Sequence, residues 1–108
     1  MKRGDIVTVV LPAELGKPRP ALILQADLFA DLSSVTVVPI TSTLIEAPLI
    51  RLSIDDSDTA TGLRKPSQLM IDKISTVSRA RLGQHIGRVD QKTMARVTRA
   101  VALFIGVA

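Results

Sequence analysis

Three short clusters in this chain combine residue types that could act on a phosphate. The first is Pro18-Arg19-Pro20, in a stretch that also holds Gly16. Two prolines restrict the backbone on both sides of one arginine, just before an apolar run. That arrangement pre-organises a guanidinium to clamp a phosphate or to neutralise developing negative charge. The same residues also suit a stiff loop with a solvated arginine. The second is Thr41-Ser42-Thr43, three hydroxyls leaving an apolar strand together. They can donate to phosphate oxygens or orient a ribose, or they can satisfy local backbone groups in a turn. The third is Asp72 with Lys73, after Leu69-Met70-Ile71. It offers a base or an orienting carboxylate, or else a surface ion pair with Lys73, Arg64 or Arg79.

Other chemistries find less support. His85 is the only histidine, which excludes a two-histidine acid–base mechanism within one chain, and it reads as structural. Carboxylates are scattered, Asp55, Asp56 and Asp58 lack the remaining positions of a calcium loop, and there is no cysteine. No metal or cofactor is expected. Neither a phosphate-binding glycine loop nor a nucleophile elbow occurs.

These clusters need a scaffold, and the hydrophobic pattern predicts one. Short strands are expected at 6–10, 21–25, 35–40 (with Pro39 near its edge), 49–54, 68–71 and 75–77, with a last one at 86–89. Residues 12–20 and the acidic stretch 55–62 read as loops, and Asp27 as the cap of a short turn reaching Leu32. The period then changes. Met94, Val97, Val101 and Phe104 share one helical face, flanked by Ala100 and Ile105, with Lys92, Arg96 and Arg99 opposite. Asp90 is the expected N-cap, Val89 and Met94 a hydrophobic staple, and Gly106 the stop. Strands followed by one helix predict a mainly β fold with α: a small, strongly bent sheet or open barrel plugged by a C-terminal helix. The continuous apolar run 35–38 predicts burial on both faces, by core on one side and a partner subunit on the other.

The chain has 108 residues, and one domain over 1–108 is expected. A net charge of +4, with arginine outnumbering lysine, favours a polyanionic partner, although charge of that size also serves solubility alone. Phe29 and Phe104 are the only aromatics, so base stacking on rings is not expected to hold a nucleic acid. Absent cysteines, signal peptide and long apolar segment point to a cytoplasmic protein with no membrane contact.

Taken in register, Arg3-Gly4-Asp5-Ile6-Val7, Lys17 through Leu24, Val38-Pro39-Ile40-Thr41-Ser42, Gln68 through Ile74 and Gly87-Arg88-Val89 resemble the MazF/PemK (Kid) toxins of toxin–antitoxin pairs. The resemblance implies an SH3-like barrel of the CcdB/MazF/Kid type with a C-terminal helix. It implies a homodimer, a cognate antitoxin and a sequence-selective, metal-independent endoribonuclease acting on single-stranded RNA, and so inhibiting translation and growth. In that family the ribose 2′-OH attacks its own phosphate, leaving 2′,3′-cyclic phosphate and 5′-OH ends. Arg19 and Thr41 match the catalytic positions and Asp72 matches an acid. Lys17, Ser42, Thr43, Arg64 and Lys65 are expected to bind RNA. Met70 stands where one branch has an arginine, and the stretch 11–17 is short and lacks a histidine found in some relatives.

A second resemblance competes. Leu24-Gln25-Ala26-Asp27 and Phe104-Ile105-Gly106-Val107 look like segments of the CcdB toxins, gyrase poisons on the same fold that are not enzymes. Ile105 stands where that tail has its aromatic. The arginine and hydroxyl clusters favour the ribonuclease, because a pure protein binder does not need them. A third reading is an inactive RNA- or protein-binding barrel.

Overall fold

The computed structural model describes residues 1–11, 16–55 and 57–107. Among them are seven strands: β1 (Asp5–Val10), β2 (Pro18–Ile23), β3 (Ser34–Thr41), β4 (Arg51–Ile54), β5 (Ser67–Met70), β6 (Ser75–Ser78) and β7 (Leu82–Arg88). The helix α1 (Gln91–Phe104) follows. The strands form one open antiparallel sheet in the order β4-β5-β3-β2-β1-β7, with β6 also paired to β3. This is the mainly β fold with a C-terminal helix that the hydrophobic pattern predicts.

Side chains alternate across a strand, and that alternation divides the apolar residues into two cores. Ile6, Leu22, Val38 and Ile40 join Leu69, Ile71, Val89 and Val97 on the face covered by α1. Val7, Val9, Ala21, Ile23, Val35 and Val37 join Leu11 and Val77 on the other. Both faces of 35–38 are thus buried within the chain itself, with Leu11, Val77 and Leu82 completing the second core. The expectation of a partner subunit over this run is corrected.

Prolines mark where pairing changes. β3 pairs with β6 over residues 34–37 and with β5 at Ile40 and Thr41, and Pro39 falls between the two. A residue without an N–H suits the point where the sheet divides. Pro39 therefore sits two residues before the end of β3, as expected, in a buried stretch that pairs opposite Ala21. The stretch read as a loop to residue 20 is also corrected. Residues 18–20 already pair with β1, as Val10↔Pro18, Val9↔Arg19 and Thr8↔Pro20. Pro18 and Pro20 are two residues apart, so both lack an N–H on the same side of the strand. β3 pairs with β2 only from Ala21 onward, so the β2–β3 ladder begins just past the two prolines.

β1 also pairs with β7, with irregular register on either side of Val7. Such bulges bend a sheet. Thr8 Oγ1 accepts a hydrogen bond from Gln84 N at 2.8 Å, and a Cβ on Gly83 would lie 2.3 Å from that oxygen. β7 begins at Leu82 and not near 86, because its first half is polar and exposed and shows no apolar alternation. Asp27 does not cap its turn. It is the first residue of the 3-10 turn Asp27–Phe29, and its carboxylate accepts the N–H of Arg3 at 2.8 Å.

The helix is seated as its face predicts. Thr93 N donates to Asp90 Oδ1 at 2.8 Å, which holds that carboxyl below its ordinary value, and Gly106 takes a positive φ of 83° after the last turn. Val97 is fully buried, with Met94, Ala100 and Val101 packed beside it and Val89 in the same core. The last turn departs from the expectation: Phe104 and Ile105 are exposed.

The N-terminus is tied to β7 through Asp5. Its buried carboxylate accepts Lys2 N at 2.7 Å and Arg88 Nη1 at 3.1 Å, and lies 3.5 Å from His85 Nε2. Burial pushes this carboxyl up, but the Lys2 N–H, the His85 imidazole and the Arg88 guanidinium outweigh that and hold it below the ordinary value. A carboxyl lowered in the fold stabilises it fully above the unfolded value, about 3.9, and that contribution fades as pH falls through the folded value. Asp5→Asn is therefore expected to cost about 2 kcal/mol at neutral pH. It should also flatten the fall of melting temperature between pH 4 and more acid solution. Melts across that range check it, and parallel curves for the two proteins would remove Asp5 from the acid response.

Candidate active site

A cleft of about 440 Å³ opens where β2, β3 and β5 meet the segment 62–66. Arg19 and Pro20 of β2 form one wall. Thr41, Ser42 and Thr43, at the end of β3, form another, and Arg64, Lys65 and Ser67 a third. Leu11, Ile40, Leu63 and Met70 supply the apolar part. Six residues singled out in the sequence, Arg19, Thr41, Ser42, Thr43, Arg64 and Lys65, thus come together from three distant parts of the chain. The lining carries three cations and no carboxylate among the described residues, so the cleft attracts an anion.

Local backbone chemistry sets each wall. Arg19 is exposed on β2, opposite Val9. Thr43 N donates to Thr41 Oγ1 at 3.0 Å, closing a tight hydroxyl turn. The local-turn reading of these hydroxyls therefore holds, and it is compatible with the other one: Oγ1 uses a lone pair on Thr43, and its O–H can still donate. The third wall hangs from the 3-10 turn Thr59–Thr61, which Asp58 caps by accepting Ala60 N at 3.1 Å. That turn presses against β7. A Cβ on Gly87 would come within 2.3 Å of Ala60 O, and one on Gly62, whose φ is 71°, within 2.4 Å of Ile86 O. The two glycines permit a backbone approach that brings Arg64 and Lys65 to the cleft.

Two other candidates lie elsewhere. Lys17 is exposed but does not line the cleft. Asp72 lies in the 3-10 turn Ile71–Lys73 after β5, near α1, and pairs with Lys73 Nζ at 3.3 Å. It does not line the cleft either. Within the short stretch 11–17, residues 12–15 lie outside the described residues. His85 contacts Asp5 on β1 and so serves the fold, as its sequence context indicates. Among the described residues no group of three or more histidines and carboxylates is gathered to hold a metal ion.

A second cleft, between residues 3, 27 and the start of α1, has mixed charge, and its cations are committed. Arg3 donates to Leu24 O and Thr98 Oγ1, and Arg88 pairs with Asp5.

Sequence reading missed Gln68 and Arg51, which hold the segment after Thr41. Gln68 is a polar residue inside an apolar strand, and a buried polar group must find partners. That was the available signal, but the partners are 23 residues away in sequence.

The arrangement has relatives. Residues 2–105 match the model of the PemK-like, MazF-like toxins of type II toxin–antitoxin systems. The chain belongs to the PemK/MazF family. It is 48% identical over 109 residues to a probable endoribonuclease MazF of Mycolicibacterium smegmatis, covering 100% of this chain and 99% of that one. It is 23% identical over 111 residues to the endoribonuclease EndoA of Bacillus subtilis, covering 99% and 96%. Among solved structures, the Mycobacterium tuberculosis toxin MazF-mt6 superposes with a TM-score of 0.81 at 27% identity, covering 96% of this chain and 98% of that one. A mycobacterial endoribonuclease in complex with its cognate antitoxin shares the fold, with a TM-score of 0.83 at 24% identity and coverage of 100% and 97%. As a PemK/MazF toxin, the chain falls outside the competing CcdB reading, which these likenesses do not support.

Proposed function

We propose that this PemK/MazF toxin is a metal-independent endoribonuclease that cuts single-stranded RNA by internal transesterification. The observation that carries the reading is the cleft in which Arg19, the Thr41–Thr43 hydroxyls and the Arg64–Lys65 pair come together, with no carboxylate among the described lining residues. The ribose 2′-oxygen forms a bond to the adjacent phosphorus, the bond from phosphorus to the 5′-oxygen breaks, and one proton passes from the 2′- to the 5′-oxygen. The products are a 2′,3′-cyclic phosphate and a 5′-OH. Because the nucleophile belongs to the substrate, geometry and charge neutralisation are the main requirements. Arg19 neutralises the crowded equatorial oxygens and supports the leaving oxygen. Thr41 donates to a non-bridging oxygen, with Ser42 beside it. Arg64 and Lys65 hold flanking phosphates, as do Thr43 and, outside the cleft, Lys17. Asp72 lies away from the cleft and is given no proton-transfer step.

The same reading includes a cognate antitoxin, which the mycobacterial complex supports by analogy. It includes a homodimer, for which the exposed Leu103, Phe104 and Ile105 at the end of α1 offer apolar surface. A cytoplasmic location fits an RNA substrate, and no described helix is long and apolar enough to cross a membrane.

The test incubates purified protein with a mixed-sequence single-stranded RNA in EDTA, beside its DNA copy and a gyrase supercoiling assay. Cleavage of the RNA alone, with cyclic phosphate ends, is expected. Dependence on an added divalent ion would overturn the metal-free mechanism. Intact RNA with inhibited gyrase would overturn the enzyme assignment.

A further inference from the structure

The segment that follows Thr41 is held in an unusual way. At Thr41 itself the backbone pairs with Gln68 in the β3–β5 ladder. Four residues on, the Gln68 side chain takes both polar groups of Ile45: its Oε1 accepts Ile45 N at 3.1 Å, and its Nε2 donates to Ile45 O at 2.9 Å. A buried side-chain amide thus acts as one more rung of the sheet, after the strand has ended. Arg51 Nη1 reinforces the same point, lying 3.3 Å from Gln68 Oε1 and 3.4 Å from Thr43 O. The span 42–44 is therefore stretched between two attachments to a single residue, and the Thr43 N–H that orients the Thr41 hydroxyl lies inside it.

Exposure on either side makes the clamp informative. Leu44, Ile45 and Leu49 are largely exposed, so little apolar burial holds this segment down. Gln68 is 8% exposed and spends both ends of its amide on one loop residue. Hydrogen bonds from a buried amide are short-range and directional, so they set the conformation of the loop and not merely its presence.

We propose that Gln68 is the positioning residue of the cleft, acting through the 42–45 segment to fix the direction of the Thr41 hydroxyl and of the Thr43 N–H. The inference rests on the ribonuclease reading of the cleft. Gln68 is not among the residues that line the cleft, yet misplacing a reacting group by about 1 Å can cost on the order of a hundredfold in rate.

The experiment is a double-mutant cycle in single-turnover cleavage of a labelled single-stranded RNA, with wild type, Gln68→Met, Thr41→Val and the pair. Gln68→Met is expected to lower the cleavage rate between about tenfold and a hundredfold while affinity for an uncleavable 2′-deoxy analogue changes less than about threefold. In the Thr41→Val background the same change should cost less than about threefold, because the hydroxyl it positions is gone. Additive losses, or an unchanged rate, would overturn the proposal. Gln68→Glu keeps the size and the acceptor for Ile45 N but loses the donor to Ile45 O. It should give a smaller loss with the same coupling to Thr41, and it decides the matter if Gln68→Met does not fold. Amide exchange at Ile45, read without any RNA, should quicken at least about tenfold in Gln68→Met, and unchanged exchange would refute the clamp. If the wild type leaves RNA intact, the ribonuclease reading fails and the exchange result alone judges the clamp.

Discussion

Arg19→Ala is expected to abolish RNA cleavage, with a loss on the order of a thousandfold, while the melting temperature stays within about 2 °C of the wild type. Attack by the 2′-oxygen places more negative charge on the phosphorus oxygens than the ground state carries. A guanidinium already held at that point stabilises the transition state more than the bound substrate. Arg19 is suited to this because β2 carries it to the rim of the cleft while Pro18 and Pro20 restrict the backbone around it. Its side chain is exposed, so truncation removes little packing. Arg19→Lys keeps the charge but loses the planar fork that can bond two oxygens together, and should fall between the two. Single-turnover rates and thermal melts on the three proteins check this. A fall in melting temperature that tracks the loss of rate would move Arg19 from catalysis to structure.

Thr41→Val should slow cleavage by about tenfold to a hundredfold and weaken RNA binding by much less. The substitution keeps the β-branched shape that suits the end of β3 and removes only the hydroxyl. Two bonds go with it: the proposed donation to a non-bridging oxygen, and the acceptance of the Thr43 N–H. The first strengthens as the phosphorane forms, so its loss appears in the rate constant more than in affinity. Rates at saturating RNA, set beside the dissociation constant for a 2′-deoxy analogue, separate the two. Equal losses would mean that Thr41 only holds substrate, and the stabilising role would pass to Arg19 alone.

Much of this was legible in one dimension. Strand periodicity located β1 and β3 to within a residue or two, because alternating burial is a local property of the chain. The C-terminal helix was equally plain, since the Met94–Val97–Val101 spacing, the Asp90 cap and the Gly106 stop all lie within one short segment. Arg19 and Thr41 stood out as residues of the right chemistry, because proline restriction and clustered hydroxyls are also written locally.

What could not be read locally were the consequences of pairing between distant segments. Nothing near Pro39 tells that β3 exchanges β6 for β5 there, although the end of the strand was read to within a residue. Nothing near Val35 tells which side of the run meets which core, and a partner subunit was invoked where the chain covers itself. Asp72 carries the right charge, yet the turn after β5 directs it to Lys73 and away from the cleft. Gln68 has no chemistry of its own to advertise and acquires a role only because folding sets Ile45 beside it. Composition and local pattern were enough for the fold class, the helix and the chemical types available for phosphate work. Which of those types share one cleft was settled by strand order and register, since hydrogen bonds between segments far apart in sequence leave no periodic trace in either segment.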